Sequence, residues 1–202
     1  MHLNNKWGFI DKKGVLKIGF NFNDVSSFCE GLARVNFDTN KSGAIDTAGN
    51  LVTNQFYNTV LSFSNGLSAV SLNGKWGFIN SQGDIAIDLI YEGVMYQFNN
   101  GIAAVRNKSK WGYIDSFGNC IVDFLYDEVV HDFSENLAAV KKDNLYGFID
   151  KIGFLQIPFL YESFDFMEHH HQRYSFLNGL AKVRFKNKLG YIGKSGIQYW
   201  EN

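Results

Sequence analysis

Two cysteines in 202 residues are too few for a disulfide framework. Neither sign of charge dominates. Nineteen Lys and Arg stand against twenty Asp and Glu, leaving a net charge of −1. The basic residues are spread along the chain rather than gathered, so there is no electrostatic case for nucleic acid as a partner. No stretch of eighteen apolar residues is present, which excludes a helical membrane span, and no N-terminal signal pattern marks export. Helix signals are also missing, because apolar residues nowhere hold a sustained three-four spacing between caps. Serine-nucleophile motifs, phosphate-binding loops and Cys/His metal spacings are absent. The expectation is a chain that is not an enzyme, with no cofactor, no metal and no catalytic residues.

What the chain does have is a repeated pattern, K-W-G-F-I-D-x-x-G. Aligned on the glycine after the aromatic, it falls at Gly8, Gly43, Gly77, Gly112, Gly147 and Gly190. A second glycine follows six residues later each time, at Gly14, Gly49, Gly83, Gly118, Gly153 and Gly196. Repetition at about this period marks solenoids, propellers and arrays, in which each unit buries its apolar face against its neighbours. The second half of the unit is as regular. An aromatic (Phe22, Tyr57, Tyr91, Tyr126, Tyr161) precedes a phenylalanine (Phe28, Phe63, Phe98, Phe133, Phe176) and then G-L-A-x-V, as in Gly31-Leu32-Ala33-Arg34-Val35. This places five full units beginning near residues 6, 41, 75, 110 and 145, and a partial one over 188–202, within one domain spanning 1–202.

The segments are short, rich in aromatic and β-branched residues, and bounded by Gly, Asn, Asp and Ser, so they read as strands. In D-x-x-G, an Asp at the first position bonds backbone amides and a Gly at the fourth takes positive φ. Asp11, Asp46, Asp115 and Asp150 hold the first position, and Asn80 substitutes in one copy. Gly8 and its equivalents leave room for close approach of a neighbour. Ala33, Ser68, Ala103, Ala138 and Ala181 are always small, implying a tightly packed layer, while the variable Arg34, Ala69, Ala104, Ala139 and Lys182 read as solvent-facing. The fold class is all-β: antiparallel units of about three strands in an open, twisted solenoid-like array, with a five-bladed β-propeller as the alternative. An open array is favoured because six W-G hairpins face five G-L-A-x-V strands and a closed ring needs whole blades.

Lys6-Trp7-Gly8-Phe9-Ile10-Asp11, Lys75-Trp76-Gly77-Phe78-Ile79-Asn80 and Lys110-Trp111-Gly112-Tyr113-Ile114-Asp115, each with its G-L-A-x-V partner, resemble the WG-containing repeat family, also called KWG repeats. The similarity covers essentially the whole chain. The second copy is degenerate, with Ser42 and Ala44 where aromatics belong. The resemblance implies a bacterial repeat array and carries no reaction and no catalytic set. Because Met1 runs almost directly into the first Trp-Gly, the sequence also reads as part of a longer array.

The recurrent Asp lacks the further oxygen donors a calcium loop needs and reads as a turn residue. Cys120 aligns with Leu16, Leu51, Ile85 and Leu155 and reads as buried; Cys29 lies in a turn and reads as partly exposed, with no base beside it. About eight extra residues interrupt the last period, around Glu168–Tyr174, and hold His169, His170 and His171. This insertion reads as an exposed loop, and insertions in repeat proteins often map to the functional face. The function expected is a non-enzymatic scaffold whose partner is another protein. The alternative is carbohydrate or cell-envelope binding through exposed aromatics.

Overall fold

The computed structural model describes residues 1–130, 132–163 and 174–200, and these hold strands, turns and loops with no helix among them. Among the described residues no helix is long and apolar enough to cross a membrane. The strands form six small antiparallel sheets, none closed into a barrel. The first takes β1 (His2–Leu3), β2 (Lys6–Ile10) and β3 (Leu16–Phe22), and the second β4 (Asp24–Val25), β5 (Leu32–Asp38) and β6 (Lys41–Asp46). The third holds β7 (Thr59–Val60), β8 (Leu67–Leu72), β9 (Lys75–Asn80) and β10 (Ile85–Tyr91). The fourth repeats that order with β11 (Gly93–Val94), β12 (Ile102–Asn107), β13 (Lys110–Asp115) and β14 (Cys120–Tyr126). The fifth does so again with β15 (Glu128–Val129), β16 (Ala138–Lys142), β17 (Leu145–Ile149) and β18 (Leu155–Tyr161). The last is β19 (Leu180–Phe185), β20 (Lys188–Gly193) and β21 (Gln198–Trp200).

Each sheet is out of phase with the sequence repeat. It joins the G-L-A-x-V half of one copy to the W-G-F-I-D half of the next, because the tight hairpin lies between those halves. In the third sheet, Leu67↔Asn80 through Leu72↔Lys75 pair around Asn73-Gly74, with φ of 52° and 76°. Two successive positive-φ residues make the type I′ turn whose twist matches the strands. A two-residue strand adds a fourth member to the three central sheets.

Two glycines show what the repeat requires of its backbone. A Cβ on Gly77 would stand 2.5 Å from the Ile87 carbonyl oxygen, so β9 and β10 could not approach with any larger residue there. Gly83 closes its Asn80 turn at φ +84°, and a Cβ would lie 2.2 Å from the Val52 carbonyl oxygen.

The chain divides into two compact units, Met1–Ile102 with Ser116–Gly118, and Ala103–Asp115 with Asn119–Asn202. In the first, Leu32, Ala44, Tyr57, Val60, Phe63, Val70 and Ile79 form a buried cluster, so Leu32 of the second sheet packs with residues of the third. In the second unit Leu137 is buried in one cluster with Ile192 in the same way. The aromatic after each W-G meets the phenylalanine of the following half-repeat. Ring centroids lie 4.7 Å apart for Phe78–Phe98, 4.9 Å for Tyr113–Phe133 and 5.2 Å for Phe148–Phe176. Such tilted and edge contacts add to area burial in holding repeats together.

The small layer is as expected: Ala33, Ser68, Ala103, Ala138 and Ala181 are all buried. The variable position beside it corrects the sequence reading. Ala69, Ala104 and Ala139 are buried rather than solvent-facing, and Arg34 and Lys182 are half-buried. Central strands such as β8 bury five consecutive residues, which happens only when both faces of a sheet are covered.

Candidate functional site

The D-x-x-G carboxylates are consumed within their own turns. Asp11 Oδ1 accepts from the amides of Lys13 (2.8 Å) and Val15 (2.9 Å), and Asp46 Oδ1 from those of Ala48 (2.9 Å) and Asn50 (2.8 Å). Asn80 reproduces the pair with Gln82 and Asp84, and Asp150 with Ile152 and Phe154. The Val15 amide holds the Asp11 carboxyl below its ordinary value, and the Asn50 side chain does the same for Asp46. Among the described residues no group of three His, Cys, Asp or Glu is placed to hold a metal. The histidine-bearing stretch, His169, His170 and His171, lies outside the described residues.

Cys120 is exposed, which corrects the expectation that it is buried. The alignment with Leu16, Leu51, Ile85 and Leu155 was sound, but that whole register position faces outward: Leu16, Leu51, Ile85 and Leu155 are all exposed. Partial burial, then the Asp123 carboxylate, push the Cys120 thiol up, away from the thiolate a nucleophile needs. Cys29 is exposed as well.

The outward register identifies a surface. The strand completing each sheet, β3, β10, β14 or β18, is an edge strand. In the first compact unit β10 exposes Ile85 and Ile90, at 50% and 54%. In the second, β18 exposes Leu155 and Leu160 at the same two positions, and Leu125 of β14 is exposed too. Recurrent exposed aliphatics on strand edges leave both apolar surface and backbone groups open to a partner. Hydropathy alternation could not reveal this, since these positions carry the same residue types as the core.

A second feature lies in the first unit. Trp7, Phe9, Ile10, Val25 and Phe28 line a groove of about 370 Å³ beside β2. Ile10 is 43% exposed, whereas Ile45, Ile79, Ile114, Ile149 and Ile192 at the equivalent position are at most 1% exposed.

Successive repeats are also stapled by side chains on their exposed turns. Within the first unit, Glu30 Oε1 and Oε2 accept from the amides of Asn65 and Gly66, both at 2.9 Å. Within the second, Glu135 Oε1 accepts from Gly179 (3.1 Å) and Oε2 pairs with Lys194 (2.6 Å); Lys194, then the Gly179 amide, hold this carboxyl down. The first residue of one type I′ turn thus caps the amides of the next, an arrangement that sequence spacing did not reveal.

The WG-containing repeat model matches residues 7–40, 43–76, 76–111 and 111–146, more than half of the chain. The chain belongs to the WG-containing repeat family. No curated protein matches it. Among solved structures it is similar to the extracellular domain of BT4673 from B. thetaiotaomicron, a protein named as a one-component system. That match has 12% identity and a TM-score of 0.44, and covers 97% of this chain and 30% of that one. It is also similar to BamB from Moraxella catarrhalis, with 10% identity and a TM-score of 0.38, over 94% of this chain and 74% of that one. This WG-repeat chain therefore spans less than a third of the first of these proteins.

Proposed function

We propose that this WG-repeat chain is a non-enzymatic scaffold that binds another protein along the exposed edges of its sheets. One observation carries the reading: the same two positions of the edge strand are exposed aliphatics in each compact unit, Ile85 and Ile90 in one and Leu155 and Leu160 in the other. The consumption of the turn carboxylates by their own backbone amides further supports a role without chemistry.

A photo-crosslinking residue placed at Ile90 or Leu160 in the host cell tests this. It should trap a defined protein that the same residue at Asn73, in the exposed turn between β8 and β9, does not trap, and Ile90→Asp with Leu160→Asp should abolish co-purification of that protein while far-UV circular dichroism stays unchanged. Identical trapping from all three positions, or co-purification indifferent to the double substitution, refutes the edge as the binding surface. Carbohydrate recognition has the 37% exposed Trp7 in its favour, beside the groove of β2. Saturable glycan binding that Trp7→Ala removes would favour that second reading.

A further inference from the structure

The dipeptide Asn-Gly occurs at Asn65-Gly66, Asn73-Gly74, Asn100-Gly101 and Asn178-Gly179. All of these pairs share one backbone shape. The asparagines lie at φ of 54°, 52°, 51° and 54°, and the glycines at 76°, 76°, 78° and 81°. Each pair is a two-residue turn closed by its flanking partners, Ser64↔Leu67, Leu72↔Lys75, Asn99↔Ile102 and Leu177↔Leu180. Each asparagine is exposed. What differs is the hydrogen bond of the glycine amide. Gly66 N donates to Glu30 Oε2 (2.9 Å), Gly179 N to Glu135 Oε1 (3.1 Å) and Gly101 N to Asn65 Oδ1 (3.2 Å). The Gly74 amide has no acceptor among the described residues, and the Asn73 side chain has no partner there either. The Asn73 backbone amide is tied to Asn58 Oδ1 at 2.8 Å.

We infer that Asn73 is a site of spontaneous covalent modification, converted to aspartate or isoaspartate by attack of the Gly74 nitrogen, and that the turn staples protect the other Asn-Gly pairs. Glycine lets its nitrogen approach the preceding side chain because it has no Cβ in the way. The Gly74 N–H gives its proton to water, and the nitrogen bonds to Asn73 Cγ. The Cγ–Nδ2 bond breaks, and Nδ2 takes up a proton and leaves as ammonia. Water then opens the imide ring at either carbonyl, giving aspartate or isoaspartate. Water is the only co-reactant, and nothing is oxidised or reduced. A carboxylate that accepts the glycine N–H opposes the first step, since the nitrogen anion would face a negative charge, and the neutral oxygen of Asn65 opposes it less. The aspartate product suits the fold, because Asp143 holds the equivalent turn between β16 and β17 at φ 51°. Isoaspartate adds a methylene to the main chain of a turn whose twist must match β8 and β9, so it loosens that hairpin. The site stands whether or not the outer edges bind a protein.

The test holds the full chain in mildly alkaline buffer at body temperature and follows each Asn-Gly pair by proteolysis and mass spectrometry. Hydrogen bonds to a carboxylate are of the stronger kind, so Asn65 and Asn178 should react roughly tenfold or more slowly than Asn73, with Asn100 between them. Denaturant should bring all the rates together. Glu30→Ala should raise the rate at Asn65 and leave that at Asn73 unchanged, which separates loss of the staple from general loosening. Equal rates in the folded chain, differences that persist in denaturant, or an Asn65 rate indifferent to Glu30→Ala would overturn the inference.

Discussion

Gly83→Ala and Gly14→Ala change the equivalent residue of the same kind of turn and should differ roughly twofold in cost. Both glycines sit at positive φ, +84° and +81°, so each alanine carries the left-handed strain of an L-residue, about 1–2 kcal/mol. The surroundings separate them. Nothing lies within 4 Å of a Cβ on Gly14, whereas a Cβ on Gly83 would stand 2.2 Å from the Val52 carbonyl oxygen and 2.9 Å from its carbon. Backbone cannot rotate aside as a side chain can, so the Asn80 turn must lift from Val52. Overpacking of that kind costs a further 1–3 kcal/mol or so. For a chain of this length each kilocalorie lowers the melting temperature by roughly 2–4 °C. Gly14→Ala should therefore melt about 2–8 °C below the parent, and Gly83→Ala about 4–20 °C below, with the second always the larger drop. Calorimetry at micromolar protein reads the difference directly. Equal drops would show that the turn does not rest against Val52.

Ala139→Lys puts a charge where the side chain is 1% exposed among Tyr146 and Phe148, and should cost roughly 3 kcal/mol or more; Lys182→Ala at the equivalent position should stay within about 0.5 kcal/mol in denaturant titration. Tyr113→Phe should be neutral or stabilising by up to about 1 kcal/mol in the same assay, because its buried hydroxyl has no hydrogen-bond partner among the described residues. Burial first, then Asp132 and Tyr126, push the Tyr113 phenol up, so the fold favours its neutral form. That contribution is complete below the ordinary tyrosine value of about 10 and is lost as pH rises above it, and the phenylalanine variant should show a flatter alkaline limb in melting temperature against pH. The Asp46 carboxyl is held down instead, so its contribution is present above the ordinary carboxylate value of about 4 and lost as pH falls below it. Asp46→Asn should fold, since Asn80 makes the same turn, and should lose less melting temperature on acidification than the parent.

The amino-acid sequence by itself determined the repeat, the all-β class, the turn positions and the small packed layer. Each of these rests on local chemistry. A glycine six residues after another, an Asp that bonds the amides two and four residues on, or a strand position that is always alanine or serine carries its reason within a few neighbours. The staples at Glu30 and Glu135 were not legible, because a glutamate gripping turn amides about one repeat away looks like any exposed glutamate.

Only the tertiary structure decided which side of a strand is inside. Ala69 and Ala139 fit the outward pattern of a sheet with one wet face, yet sheets covered on both faces bury them. Cys120 keeps the company of leucines, yet that position of the edge strand faces outward while Val122 and Tyr126 of the same strand are buried. The same holds for Ile10, chemically identical to five isoleucines buried at the equivalent position and itself 43% exposed. Burial depends on what stands opposite, and a repeating sequence assigns equal residues to places that the fold makes unequal.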